Sequence, residues 1–188
     1  MDRYYIERFL DAERGAIHGR VLEVLNAEYT ERFGAGVERS DVLDIDSANE
    51  SATIVADLAR ADEVPSETFD CFVLTQTLQY VYDLQSVVRH VHRILRPGGT
   101  VLCTVPTVSR IARGTLETEY WRLTALGCER LFGDAFIGGA VEARSQGNVL
   151  TAVAFLMGMA AEELSTRELE LADPFFPLLV TVKATKTA

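Results

Sequence analysis

Carboxylates fall near the ends of three short apolar runs, and their spacing suggests a ligand rich in hydroxyls. Glu23 lies within Arg20 to Leu25, Asp41 closes the run that starts at Val37, and Asp57 follows Ala52 to Ala56. The separation of Glu23 and Asp41 is close to the roughly 20 residues at which an α/β nucleotide site places its ribose-binding acid. One carboxylate there accepts from both hydroxyls of a ribose. Asp44 and Asp46 compete for that role, with a solvated acidic loop as the plain alternative. Asp57 also reads as an N-cap for a turn over Leu58 to Ala61. Thr75-Gln76-Thr77 ends a further apolar run and faces the crevice beyond the strand ends, where open α/β sheets bind ligands. Farther on, Trp121 can stack on a ring and Arg122 can bind a carboxylate or phosphate. The alternative is that Trp121 packs its own loop and Arg122 pairs with Glu119.

The elements that must position these residues are clearest between Phe69 and Pro106. Cys71 to Thr75 is a short apolar run suited to a strand covered on both faces. Leu84, Val87, Val88, Val91, Ile94 and Leu95 then recur at three- and four-residue steps, which predicts a helix with one apolar stripe. Arg93 and Arg96 suit its last turn, and Pro97-Gly98-Gly99 stops it. Thr100 to Val105 is a second β-branched run. Parallel strands joined by a helix make a right-handed βαβ unit, so the sheet is at least partly parallel. Upstream, Tyr4 to Arg14 reads as an amphipathic helix, Arg20 to Leu25 as a strand, Tyr29 to Phe33 as a short helix, and Val37 to Val42 as a strand.

Phe69-Asp70, Leu78-Gln79-Tyr80-Val81-Tyr82-Asp83 and Arg93-Ile94-Leu95-Arg96-Pro97-Gly98-Gly99, taken together with their spacing, resemble the second half of a class I S-adenosylmethionine-dependent methyltransferase of the type 11-like kind. The resemblance implies a three-layer, Rossmann-like α/β sandwich whose mostly parallel seven-stranded sheet has its last strand antiparallel. It implies S-adenosylmethionine as cofactor, with contacts from Glu23, Leu25, Asn26 and Tyr29 around the first turn. Asp41 and Val42 would follow at the second strand, Asp57 and Leu58 at the adenine, and Thr75 and Gln76 after the fourth strand. The opening helix of the family lies over the cleft, which makes Tyr4 or Tyr5 a lining residue unless they pack on the sheet. The first turn departs from the pattern: Glu23-Val24-Leu25-Asn26-Ala27-Glu28-Tyr29 keeps the acid but none of the family's three glycines. Glycine serves there because the ligand passes against bare main chain and some positions need positive φ. Asn26 is the residue expected to take the left-handed turn.

Many relatives carry Leu-Glu-His-Val where this chain has Leu78-Gln79-Tyr80-Val81, so no histidine base stands there. Gln79, Tyr80 and Tyr120 are the remaining candidates for a catalytic group. The aromatic-Arg-Leu-Thr run at Trp121 resembles the substrate-side segment of enzymes acting on sugars and cell-surface polysaccharides. That places substrate binding in residues 107–135, with Trp121 and Arg122 as contacts. The expected acceptor is a small molecule or saccharide, methylated on oxygen or nitrogen. The second functional class is a methyltransferase-fold scaffold that has lost its cofactor. A nicotinamide dehydrogenase fits less well, because Gly-x-Gly-x-x-Gly is missing after the first strand.

At 188 residues the chain fits one domain, with 1–14 as the helix over the cleft. Its net charge of −10 argues against nucleic acid or an anionic membrane as partner. The three cysteines and three histidines lack metal-ligand spacing, so no metal is expected and the cysteines read as core residues. Met1 to Tyr5 does not start a signal peptide, and Val149 to Ala161 is too short to span a bilayer. A cytoplasmic protein is expected. Val149 to Ala161 is apolar nearly all round, which predicts a helix buried on more than one side, against the sheet and a second subunit of a homodimer. The charged tail, residues 183–188, is expected to fray.

Overall fold

The computed structural model describes residues 1–187. The apolar runs align as β1 (Gly19–Val24), β2 (Val37–Asp44), β3 (Ile54–Val55), β4 (Phe69–Thr75), β5 (Leu95–Pro106), β6 (Ala140–Gln146) and β7 (Leu179–Thr185). They form one sheet in the order β3-β2-β1-β4-β5-β7-β6. The pairs from β3 to β5 are parallel, and β7 runs antiparallel to both β5 and β6. This is the mostly parallel sheet with an antiparallel last strand that the resemblance implied.

Alternation along the strands makes the three layers. Val21, Cys71 and Val73 face one side, where they pack with Tyr5, Ile6 and Leu10 of α1 (Asp2–Ala12) and Phe33 of α2 (Glu28–Phe33). Leu22, Phe72 and Leu74 face the other, against Val87, Val88, Val91 and Ile94 of α3 (Leu84–Ile94) and Phe132 of α4 (Ala125–Gly133). The period-two pattern thus feeds two separate cores. The Asp83 carboxylate caps α3 by accepting from the Ser86 amide at 3.0 Å. All three cysteines are free and buried. No helix among the described residues is long and apolar enough to cross a membrane.

Three elements differ from expectation. β2 runs to Asp44 rather than Val42, which makes Asp44 and not Asp41 its terminal acid. The helix expected over 149–161 is α5 (Val149–Leu156), and Gly158, at φ 79°, turns the chain soon after it. Only Thr151 and Ala154 of α5 are buried, so Leu150, Val153 and Leu156 form an outward row instead of a second buried side. The tail does not fray from residue 183: β7 continues to Thr185, the Lys183 ammonium donates to Glu13 at 2.6 Å, and Lys186 donates to the Leu95 carbonyl at 2.9 Å. Ala188 lies outside the described residues. α6 (Thr166–Glu170) is capped by Ser165, and the Asn148 amide group ties α5 to it through the Glu168 and Leu171 carbonyls at 2.8 Å each.

The Phe-Asp pair that opens β4 has a structural task at the amino-terminal edge of the sheet. The Asp70 carboxylate accepts from the Arg20 amide and from the Arg96 guanidinium, both at 2.7 Å. The Arg20 guanidinium lies 5.0 Å from the Phe69 ring centroid. Glycine is required at position 19, where φ is 63° and a Cβ would come within 2.4 Å of the Asp70 carboxylate. Burial opposes the ionised form of Asp70, but the Arg20 amide and the Arg96 guanidinium outweigh it and hold its pKa below the ordinary carboxylate range. A group lowered in this way adds stability above its unfolded-state pKa, and that stability is lost as pH falls through the folded value. Asp70→Asn should therefore cost about 2 kcal/mol at neutral pH. In urea denaturation, the deficit against the parent protein should shrink on acidification below the ordinary carboxylate range.

Candidate functional site

Strand order reverses between β1 and β4, because the chain leaves β1 toward β2 and leaves β4 toward β5. The loops diverge at the carboxyl ends of this pair and open a crevice. Two non-glycine residues with positive φ mark the point: Leu25 at 71°, directly after β1, and Gln76 at 47°, directly after β4. Such a conformation costs roughly 1–2 kcal/mol for a residue with a Cβ, so neighbours must hold it in place. The Leu25 amide donates to the Leu43 carbonyl at 3.0 Å, and its own carbonyl accepts from the Asn49 side-chain amide at 2.7 Å. The Gln76 amide donates to the Thr104 carbonyl at 2.9 Å. Leu25, not Asn26, therefore takes the left-handed turn. The Asn26 side chain instead accepts from the Glu28 amide at 3.0 Å and starts α2.

Glu23 is buried, and its two carboxylate oxygens accept from the amides of Tyr29 (3.0 Å) and Thr30 (2.7 Å). It caps α2 from beneath. Burial pushes its pKa up, and the hydrogen bonds from Thr30 and Tyr29 work against that rise. The Tyr29 ring leans on Phe33. Glu28, at the start of α2, pairs with Arg3 of α1, so its charge is answered at the mouth of the turn.

Asp41 does not stand at a strand end. It pairs in register with Leu22, is 1% exposed, and accepts from Arg20 at 2.7 Å and Arg39 at 3.0 Å. Burial opposes its charge, yet the two arginines lower its pKa. Val42 beside it is buried, with its amide given to the Thr53 hydroxyl at 2.9 Å. The expected ribose pair, Asp41 and Val42, is thus part of the frame. Asp44 is the acid at the end of β2, where it accepts from the Asn49 side chain at 2.6 Å and from the Asp46 amide at 3.0 Å. Asp57 follows β3 and caps the 3-10 turn Leu58–Arg60 through the Ala59 amide at 3.0 Å. The Leu58 side chain is buried, which leaves its backbone amide, the first of that turn, as the group it can offer.

On the β4–β5 side of the crevice lies a cavity of about 200 Å³, lined by Gln76, Gln79, Tyr80, Arg110, Phe155 and Leu178 among others. Asp2 of α1 also lines it. Tyr5 is instead packed, its hydroxyl donating to the Leu169 carbonyl at 2.7 Å, with Tyr4 edge-on to it. Of the expected catalytic candidates, Gln79 and Tyr80 line the cavity. Tyr120 does not, and packs edge-on against Tyr82. Trp121 stacks on Tyr82 and donates to the Val81 carbonyl at 3.0 Å, while Arg122 pairs with Glu119 at 2.5 Å. These expected substrate contacts are used by their own loop, which they fix against Gln79: the Gln79 carbonyl accepts from the Tyr120 amide at 2.7 Å.

Asn49 and Phe155 were missed in the sequence. Asn49 acts on a main-chain carbonyl 24 residues away, which leaves no local pattern. Phe155 sat in a run read only as apolar.

The family described as "Methyltransferase domain" matches residues 8–144. Among solved structures, a Haloferax volcanii methyltransferase in complex with the Trm112 methyltransferase activator is similar at 18% identity and TM-score 0.68, over 100% of this chain and 92% of that one. An S-adenosylmethionine-dependent methyltransferase from Mesorhizobium loti is similar at 17% identity and TM-score 0.64, over 94% and 95%. The [4+2]-cyclase SpnF is similar at 16% identity and TM-score 0.65, over 97% and 81%. At these identities the likeness is one of fold, and a fold hosts more than one chemistry. No curated protein matches the sequence.

The wall of the cavity depends on Glu119, whose side chain is 3% exposed. Burial opposes its charge, but the Ala112 amide, Thr115 and Arg122 hold its pKa below the ordinary range. Glu119→Gln should weaken that hold and speed hydrogen exchange of the Ala112 amide by about tenfold at neutral pH. In the parent protein the same amide should begin to exchange faster as pH falls through the folded pKa of Glu119, after correction for the intrinsic exchange rate.

Proposed function

The chain belongs to the methyltransferase-domain family, and from that premise we propose that it transfers a methyl group from S-adenosylmethionine to an oxygen or nitrogen of a small-molecule or saccharide acceptor. The observation that carries this reading is the pair of acids at the ends of β2 and β3, Asp44 and Asp57, beside a first turn whose Leu25 keeps positive φ without glycine. That donor and acceptor set suits a nucleoside. Asp44 would accept from the ribose hydroxyls in place of Asn49, which now satisfies it. Asp57 would accept from the adenine amine and the Leu58 amide would donate to the ring. Glu23 and Asn26 shape the turn from behind, and Thr75 and Gln76 border the cofactor on the β4 side. The Arg3–Glu28 pair removes an uncompensated negative charge from the place where a methionyl carboxylate would lie.

When bound, this cofactor supplies an electrophilic methyl group on a sulfonium. The remaining work belongs to the chain: to hold the acceptor in line, to exclude water, and to orient its lone pair. The cavity at Gln79 and Tyr80 is the acceptor site in this reading, walled by the loop that Trp121 and Arg122 fasten. A second reading, a cofactor-free scaffold or one half of a homodimer, draws on the outward row of α5, where Leu150, Val153 and Leu156 are exposed.

Isothermal titration with S-adenosylmethionine and S-adenosylhomocysteine separates the two. Micromolar binding is expected, weakened at least tenfold by Asp57→Ala and by Asp44→Ala. Asp41→Asn should leave the affinity of the folded protein nearly unchanged. Leu25→Gly should match or tighten binding, because glycine adopts that backbone form freely. The absence of both heat and a thermal shift at millimolar ligand would sink the enzyme reading in favour of the scaffold.

A further inference from the structure

We propose that β6 is the joint of a homodimer, in which two copies of the chain pair edge to edge and antiparallel about a two-fold axis at Ala143. The inference is independent of both readings of function. It sets the contact on the sheet and not on the outward row of α5.

β6 ends the sheet and pairs with β7 alone. Its other edge is open: outside that ladder, no backbone–backbone hydrogen bond among the described residues uses residues 140–145. Open edges attract further strands, and proteins usually blunt them with a short strand, a bulge, proline or lysine. At the opposite end of the sheet β3 is only two residues long. β6 has seven residues in unbroken register with β7, and its run Ala-Val-Glu-Ala-Arg-Ser-Gln holds neither proline nor lysine. The edge is therefore free to take a strand.

The two charges on the strand say which strand it takes. Glu142 and Arg144 share one face of β6, the face that carries α1, where an open groove of about 370 Å³ leaves them uncovered. The Arg144 side chain is 72% exposed, and within the chain it reaches two residues back along its own strand to Glu142. In a two-fold antiparallel pair the register decides which side chains meet. With the axis at Ala143, all seven residues pair, Glu142 faces the partner subunit's Arg144, and Arg144 faces the partner subunit's Glu142. Moving the axis to Glu142 or to Arg144 shortens the pairing and sets like charges face to face, which is destabilising. Each chain carries a net charge of −10, so two copies meet only where the local charges match. β6 is thus complementary to itself in one register, which is why the occupant is a second copy of this chain. On the other face Val141 and Ala143 turn toward the core beneath α3 and α4, and the small Ala143 meets its counterpart at the axis. Ile137 before the strand and Val149 after it are both exposed, and the pairing brings these two ends side by side. β5 and β7 lie between the joint and the crevice at β1 and β4.

The test is sedimentation equilibrium of the full chain, from micromolar to millimolar concentration. The parent protein should associate to twice its chain mass of 20.8 kDa and no further. Glu142→Arg and Arg144→Glu each set like charges across the joint, and each should weaken association about tenfold or more. An equimolar mixture of these two variants should associate again, because each offers the charge that the other lacks. The double variant Glu142→Arg/Arg144→Glu should associate as the parent does. Val153→Glu, on the outward row of α5, should leave the dimer unchanged. All variants are checked for parental thermal unfolding. A parent protein that stays monomeric throughout, a dimer indifferent to both charge reversals, or a mixture no more associated than its components would each overturn the inference. So would a dimer lost in Val153→Glu alone, which would place the joint on α5.

Discussion

The structure depends on how Arg20 is held. Its amide is fixed by Asp70, its guanidinium by Asp41, and the same guanidinium lies over Phe69. This one residue at the start of β1 therefore joins β2 on one side and β4 on the other. Arg96 brings the exit of α3 to the same carboxylate. Parallel strands cannot be paired by a tight turn, so their register must be set by contacts between distant segments. An ion cluster at the amino-terminal edge does that without occupying the opposite edge. A buried ion pair of this kind specifies geometry more than it stabilises, since desolvation offsets much of its attraction.

The consequence is a division of labour between the two edges of the sheet. At the amino edge and within β2 the charges are mutually satisfied: Asp70 and Asp41 both sit below the ordinary carboxylate range because cations and an amide outweigh their burial. At the carboxyl edge the polar groups are arranged differently. Leu25 and Gln76 hold strained backbone, Asp44 is answered by the Asp46 amide and one movable side chain, and Gln79 leaves an acceptor unmatched. Strain and incomplete satisfaction gather where a ligand can complete them.

Much of the fold was legible because period and punctuation agree with it. The α3 stripe acts locally and the helix follows it, but it ends at Ile94: Leu95, Arg96 and Pro97-Gly98-Gly99, expected as its last turn and stop, already belong to β5. The site was less legible for a physical reason. Asp41 and Asp44 are both acids near the end of one apolar run, and only the length of β2 decides which is inside. The fate of Trp121 and Arg122 turned on partners, the Val81 carbonyl and Glu119, whose availability is a tertiary fact. Glycine counting also misjudged the first turn, because positive φ was sought in the residue best suited to it and the chain placed it on Leu25, where β1 ends.

That displacement bears on how a turn without glycine can remain a binding turn. What a ligand needs from the main chain is its shape, together with open space where a Cβ would collide. Leu25 supplies the shape, locked by hydrogen bonds from both its amide and its carbonyl, and its side chain is 63% exposed and so turned largely to solvent. Both locks have to survive when a ligand arrives, or the left-handed backbone relaxes. The Leu43 carbonyl is part of the sheet and stays. Asn49 is different, because its amide serves Leu25 and Asp44 at once. A ribose that took Asp44 would release one of those two bonds and leave the other free to persist. On the proposed reading, cofactor affinity in this chain would thus be coupled to a single asparagine rotamer.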